Sequence, residues 1–169
     1  DPVDSLEYHA LIAKDESFDV KVLPSFRPDK GLEINRATFL PWIEKLAEVS
    51  GITINSYSDF LAALEARVKF FHEVGCRVSD HALDYVPYAE TTEEEVAAIF
   101  AKALRGEKVS LEEEMKHKTY TLLFLGKLYA EHDWAMQYHM NASRNNNLRM
   151  FRQLGPDTGF DSMSDTPIA

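Results

Sequence analysis

The apolar runs at residues 76–81 and 134–140 are separated by roughly fifty residues in which two helix starts, and no strand, can be read. Both starts are capping boxes, Thr92-Glu93-Glu94-Glu95 and Ser110-Leu111-Glu112-Glu113. In each, the N-cap hydroxyl accepts from the amide three residues on, and the Glu there reaches back to the N-cap amide. Strands joined through such a return must pair in parallel, because antiparallel neighbours need only a short turn. A third apolar run, residues 18–23, stands a similar distance upstream and ends at Pro24. Between it and the next run, Phe39, Leu40, Ile43, Leu46 and Ala47 recur at helical spacing over 36–49. Phe60, Leu61, Leu64, Val68 and Phe71 do so over 58–74, with Gly75 placed to end that helix. Shorter helices are expected over 4–14, with Asp4 as N-cap, and near 147–153. The expectation is an α/β chain with about three parallel strands and long helical insertions, about 36–74 and 92–132. Three strands cannot close a barrel; they form a small open sheet or consecutive staves of a larger barrel.

Composition narrows the function. With 169 residues, 45% of them hydrophobic, the chain can bury a core of ordinary globular type. Lys and Arg number 18 against 28 Asp and Glu, a net charge of −10, which argues against nucleic acid or an anionic membrane as partner. The one cysteine, Cys76, precludes an internal disulfide and fits a reducing, cytoplasmic setting. No apolar run, the greasy stretch Leu122 to Leu125 included, approaches the 18 or so residues of a membrane span. The opening Asp1-Pro2-Val3-Asp4 is acidic where a secretory signal is basic, and it lacks Met, so a piece of a longer polypeptide is expected.

Parallel α/β structures bind ligands beyond the carboxyl ends of their strands. Those ends carry Arg27 and Asp29, then Asp80 and His81, then Gln137, Tyr138 and His139, with Arg144, Asn145, Asn146 and Asn147 in the loop beyond. Cation, carboxylate, imidazole and amide together suit a small, anionic, hydroxyl-rich molecule. Each has a plainer reading. Arg27-Pro28-Asp29 could be a turn with a local ion pair, and His81 or His139 a core histidine bonded to the backbone. The asparagines could cap the next helix. His9, His72, His117 and His132 lie on or beside helices and suit solvated or packing roles. The Glu93–Glu95 and Glu112–Glu114 runs sit in first turns, where they complement the helix dipole. No spacing makes a strong metal motif, a phosphate loop or a nucleophile elbow.

Four segments in order resemble the uronate (glucuronate) isomerases: Leu23-Pro24-Ser25-Phe26-Arg27-Pro28-Asp29, Val78-Ser79-Asp80-His81-Ala82-Leu83, Gln137-Tyr138-His139 with Arg144-Asn145-Asn146-Asn147, and Leu154-Gly155-Pro156-Asp157-Thr158-Gly159-Phe160-Asp161-Ser162. One departure is Phe26, where relatives often carry Trp; the position stays aromatic. The resemblance implies a middle segment of a distorted (β/α)8 barrel of the amidohydrolase superfamily. It implies cytoplasmic interconversion of D-glucuronate with D-fructuronate and of D-galacturonate with D-tagaturonate. It also implies a divalent metal, zinc being favoured, in the full-length protein, with no metal expected in this segment. By the same resemblance Arg27, with Asp29, Arg144, Asn145 and Asn146, would bind substrate, while Asp80, His81 and His139 would serve catalysis. The segment alone is expected to be inactive, and its open strand edges predict a homo-oligomer. Two rival readings are a metal-dependent hydrolase of the same superfamily, with His81 and His139 as ligands, and a non-catalytic helical assembly module.

Overall fold

The computed structural model describes residues 1–156 and 158–165; Asp157, within the last of the four segments, lies outside them. The chain runs α1 (Glu7–Ile12), α2 (Asp29–Leu32), α3 (Phe39–Ser50), α4 (Tyr57–Glu73), β1 (Val78–Leu83), α5 (Glu93–Leu104), α6 (Leu111–Glu131), β2 (Ala135–Met140), β3 (Ala142–Ser143), α7 (Leu148–Leu154) and β4 (Ser162–Met163). β1 and β2 pair in parallel, from Val78 opposite Ala135 to Leu83 opposite Met140, with α5 and α6 forming the return between them. β3 and β4 make a small antiparallel pair beyond the carboxyl end of β2.

Both capping boxes close as expected, on α5 through Thr92 and Glu95 and on α6 through Ser110 and Glu113. α4 is capped by Ser56, whose hydroxyl accepts from the Asp59 amide. It ends at Glu73 with Val74 as C-cap, and Gly75 follows at a φ of 107°, a backbone conformation that favours glycine. The apolar stripes of α3, α4, α5 and α6 meet in one core, in which Phe60 stacks on Phe100 at 5.0 Å between ring centroids. The sheet lies against this helical mass on one face only. Phe26 fills the junction, with its ring 5.1 Å from Phe71 of α4, 6.0 Å from Tyr129 of α6 and 5.9 Å from Trp134.

Two expectations are corrected. Residues 18–23 form no strand, and Val20 is 64% exposed. Pairing moves downstream to Phe26, whose amide donates to the Val78 carbonyl at 3.1 Å and whose carbonyl accepts from the Asp80 amide at 2.9 Å. Pro24 and Pro28 flank it without an N–H, so the ladder cannot lengthen into a full strand. The first helix begins at Glu7 rather than near Asp4, because Leu6 is left-handed at φ 56° and no side chain caps it. The Asp4 carbonyl instead accepts from Arg67 Nη2 at 2.7 Å. No helix among the described residues is long and apolar enough to cross a membrane.

Candidate functional site

Side chains alternate across a strand, and this alternation sorts the sheet's polar groups. Ser79, His81 and Leu83 are buried, whereas Val78, Asp80 and Ala82 are less so. Through the register, Asp80 lies opposite Gln137 and Ala82 opposite His139, so these share the open face. Arg27 enters that face from the loop after Phe26. Its Nη1 is 3.5 Å from Asp80 Oδ2, and its Nη2 is 3.2 Å from His139 Nε2. His139 Nδ1 is 3.0 Å from Asp80 Oδ1, which also accepts from Gln137 Nε2 at 3.1 Å.

This closed triangle assigns the proton on the imidazole. A guanidinium can only donate, so His139 Nε2 accepts from it and the Nδ1–H donates to Asp80. The His139 ring is thus held between a carboxylate on one side and a cation on the other. Asp29 accepts from Arg27 Nε at 2.7 Å through Oδ2. Burial pushes its carboxyl above the usual range, and the charge of Asp80 adds to this. The Arg27 bond and charge and the Ala82 amide pull it back down.

Beside the triangle opens a cleft of about 600 Å³ lined by Arg27, Asp29, Glu33, Arg36, Ala82, Asp84, Ala142, Ser143, Arg144, Asn145 and Ser164. Arg144 is paired with Asp161 at 2.6 Å, and the Asn145 amide donates to the same carboxylate at 3.1 Å. Asn145 holds a left-handed φ of 59°. Asn146 does not line the cleft. It braces the β3–β4 pair, with Nδ2 donating to the Ser143 carbonyl at 2.8 Å and to Ser162 Oγ at 2.6 Å. Asn147 caps α7, accepting from the Met150 amide at 3.1 Å.

His81 stands apart from these groups. It is 0% exposed on the helix-facing side, with its ring 5.8 Å from Tyr129 and 5.4 Å from Tyr138. Its Nε2 is 3.2 Å from Ser79 Oγ, and burial lowers its pKa to about 4. The expectation that His81 converges with Arg27, Asp80 and His139 fails because it directly follows Asp80 on a pleated strand. Glu33, Arg36 and Asp84 line the cleft without having been singled out from sequence. Asp84 was within reach, since period two carries the open face from Asp80 through Ala82 to position 84. Arg36 and Glu33 had no such signal, as they follow α2 in an irregular turn.

A resident metal finds no cradle in these residues. Among the described residues no three His, Cys, Asp or Glu side chains are grouped so as to hold an ion. The donor nitrogen and oxygens of His139 and Asp80 are already engaged with each other, with Arg27 and with Gln137.

The family model for glucuronate isomerase matches residues 1–169, the whole chain. The chain belongs to the glucuronate isomerase family. It is 63% identical over its full length to the uronate isomerase of Clostridium acetobutylicum and 60% identical to that of Bacillus subtilis, covering 36% of each. Among solved structures it resembles the uronate isomerase of Thermotoga maritima, with a TM-score of 0.89 at 33% identity. That match covers 97% of this chain and 36% of the Thermotoga protein. The glucuronate isomerase of Caulobacter crescentus gives 0.85 at 26% identity, covering 98% of this chain and 34% of that one. The chain thus spans about a third of the length of the relatives it matches.

Proposed function

We propose that this chain builds the wall of a uronate isomerase site that grips the substrate's carboxylate end. The observation carrying this is the guanidinium of Arg27, set at the carboxyl ends of β1 and β2 and bounded by Asp29, Asp80 and His139. Planar forked donors match a carboxylate with two parallel bonds, which a lysine cannot reproduce. In this reading β1, β2 and the Phe26 bridge are parts of consecutive staves of a (β/α)8 barrel completed by the rest of the polypeptide. The family match favours isomerisation over the hydrolase and assembly-module readings.

Aldose–ketose isomerisation moves a proton between C1 and C2 through an enediol. In a six-carbon uronate the carboxylate lies four bonds from C2, about 5 Å when extended. His139 sits beside the guanidinium, so it and Asp80 are proposed to serve the carboxylate end. An imidazole nitrogen there can accept from a cation or a hydroxyl. Arg144 and Asn145, across the cleft, are proposed to meet the sugar hydroxyls. The divalent metal implied by the family, zinc being favoured, would act on the C1–C2 end from residues outside this chain, and the segment alone is expected to be inactive. A cytoplasmic, homo-oligomeric protein acting on small sugar acids completes the reading. A second copy is the cover proposed for the open strand edges, and light scattering would read it.

The test is isomerisation of D-glucuronate and D-galacturonate by the full-length protein, followed as ketose formation. Turnover of either uronate supports the reading. A full-length protein that binds and converts neither contradicts it.

A further inference from the structure

β1 has a second edge besides the one paired with β2. Along it the Val78 carbonyl and the Asp80 amide are taken by Phe26. In a parallel ladder the next donor on that edge is the Ala82 amide, and its partner would be a backbone carbonyl two residues beyond Phe26. Pro28 occupies that place and the chain turns away into α2. The acceptor is supplied by a side chain instead, as Asp29 Oδ2 accepts from the Ala82 amide at 3.2 Å. The same oxygen accepts from Arg27 Nε at 2.7 Å. One carboxylate oxygen therefore replaces the missing third strand and sets the rotation of the guanidinium.

We propose that Asp29 is a positioning residue that acts through Arg27, clamping its Nε edge to the end of β1 so that the Nη1 and Nη2 edge faces Asp80 and His139. The proposal deepens, and rests on, the reading of Arg27 as the uronate-carboxylate group. It also separates Asp29 from the sequence expectation that it touches substrate. A bound carboxylate meets a guanidinium whose Nε side is already committed, so the loss of Asp29 frees the side chain to rotate and weakens binding more than it slows chemistry. The other oxygen, Oδ1, is buried without a hydrogen-bond partner among the described residues, so the carboxylate reaches its protein partners through Oδ2.

The test uses the full-length protein with Asp29→Asn and Asp29→Ala, each made in wild-type and in Arg27→Ala backgrounds. With Arg27 present, KM for D-glucuronate should rise about ten- to a hundredfold while kcat changes little. With Arg27→Ala, replacing Asp29 should add no further loss, since the group it acts through is gone. Equal losses in both backgrounds, or wild-type KM in Asp29→Asn, would overturn the proposal. A readout independent of turnover is the Arg27 Nε–H resonance, assigned by its absence in Arg27→Lys. It should exchange slowly with water in the wild type and fast in Asp29→Ala. Slow exchange in both would overturn the clamp. An inactive wild-type protein that still shows this change would instead remove the uronate reading and leave the clamp standing.

Discussion

His81 and His139 sit one register step apart on paired strands, yet they occupy different chemical worlds. His81 faces the helices, is 0% exposed, and is held neutral by burial with a pKa lowered to about 4. The side chain of His139 is 36% exposed, and its ring bridges Asp80 and Arg27 on the open face. Residue type did not separate them; the pleat did. In this sheet the helix-facing positions are packed into the core, and the open-facing positions carry the polar groups proposed to meet a ligand.

If that division holds, the largest effect belongs to the open face. Arg27→Ala in the full-length protein should lower kcat/KM for uronates by about 2–4 kcal/mol, roughly 30- to 1,000-fold. Arg27→Lys should recover only part of this, because an ammonium lacks the fork. Steady-state kinetics decide it, and wild-type values in the alanine variant would remove Arg27 from the site. Next come the two histidines in stability. Urea denaturation of this chain should show a loss of about 2–4 kcal/mol for His81→Ala, which opens a cavity in the core. His139→Ala should lose less than about 1 kcal/mol. Equal losses would erase the distinction between the faces.

Much of this division was legible in the sequence, and the part that was not has a physical cause. The capping hydroxyls and glutamates of α5 and α6, the apolar stripes of α3 and α4, and Gly75 are local signals whose chemistry is complete within a few residues. The parallel pairing of β1 with β2 followed from the length of the connection. Residues 18–23 alternate like a strand, but a strand needs a neighbour. Phe26 took the available edge of β1, and only tertiary structure decides which segment does so. The meeting of Arg27, Asp29, Asp80 and His139 was legible because parallel strands present their carboxyl ends together. His81 was grouped with them because adjacency in sequence is easily mistaken for adjacency in space. Asn146 and Asn147 illustrate the converse, since asparagines that suit a ligand also suit the bracing of a strand pair and a helix cap.

Acid sharpens the comparison further. His81 and His117 are both buried and both lowered to about 4. His117 is closed in by Tyr57, Phe60 and Phe100, and its Nε2 donates to the Gly31 carbonyl at 2.9 Å. An unfolded histidine takes its proton near pH 6.5, so between about 4 and 6.5 the unfolded chain binds more protons. Stability should therefore be whole above pH 6.5 and fall as pH drops toward 4, by about 2–3 kcal/mol for each ring. Asp29 opposes this, because its raised carboxyl takes up a proton more readily when folded. His117→Phe should flatten the slope, and denaturation midpoints at pH 7 and pH 5 measure it. A slope unchanged in that variant would show that His117 is not held neutral. The smallest expected effect is at Gln137, exposed on the open face. Gln137→Ala should leave stability within about 0.5 kcal/mol of wild type in the same denaturation assay. A larger loss would mean that the open face carries structure after all.

The most direct test replaces each strand histidine with glutamine in the full-length protein and measures D-glucuronate kinetics beside thermal unfolding. His139→Gln should raise KM about tenfold or more at an unchanged unfolding midpoint, while His81→Gln should lower the midpoint and leave kcat/KM per folded molecule close to wild type. Wild-type KM in His139→Gln, with kcat/KM lost in a fully stable His81→Gln, would contradict it.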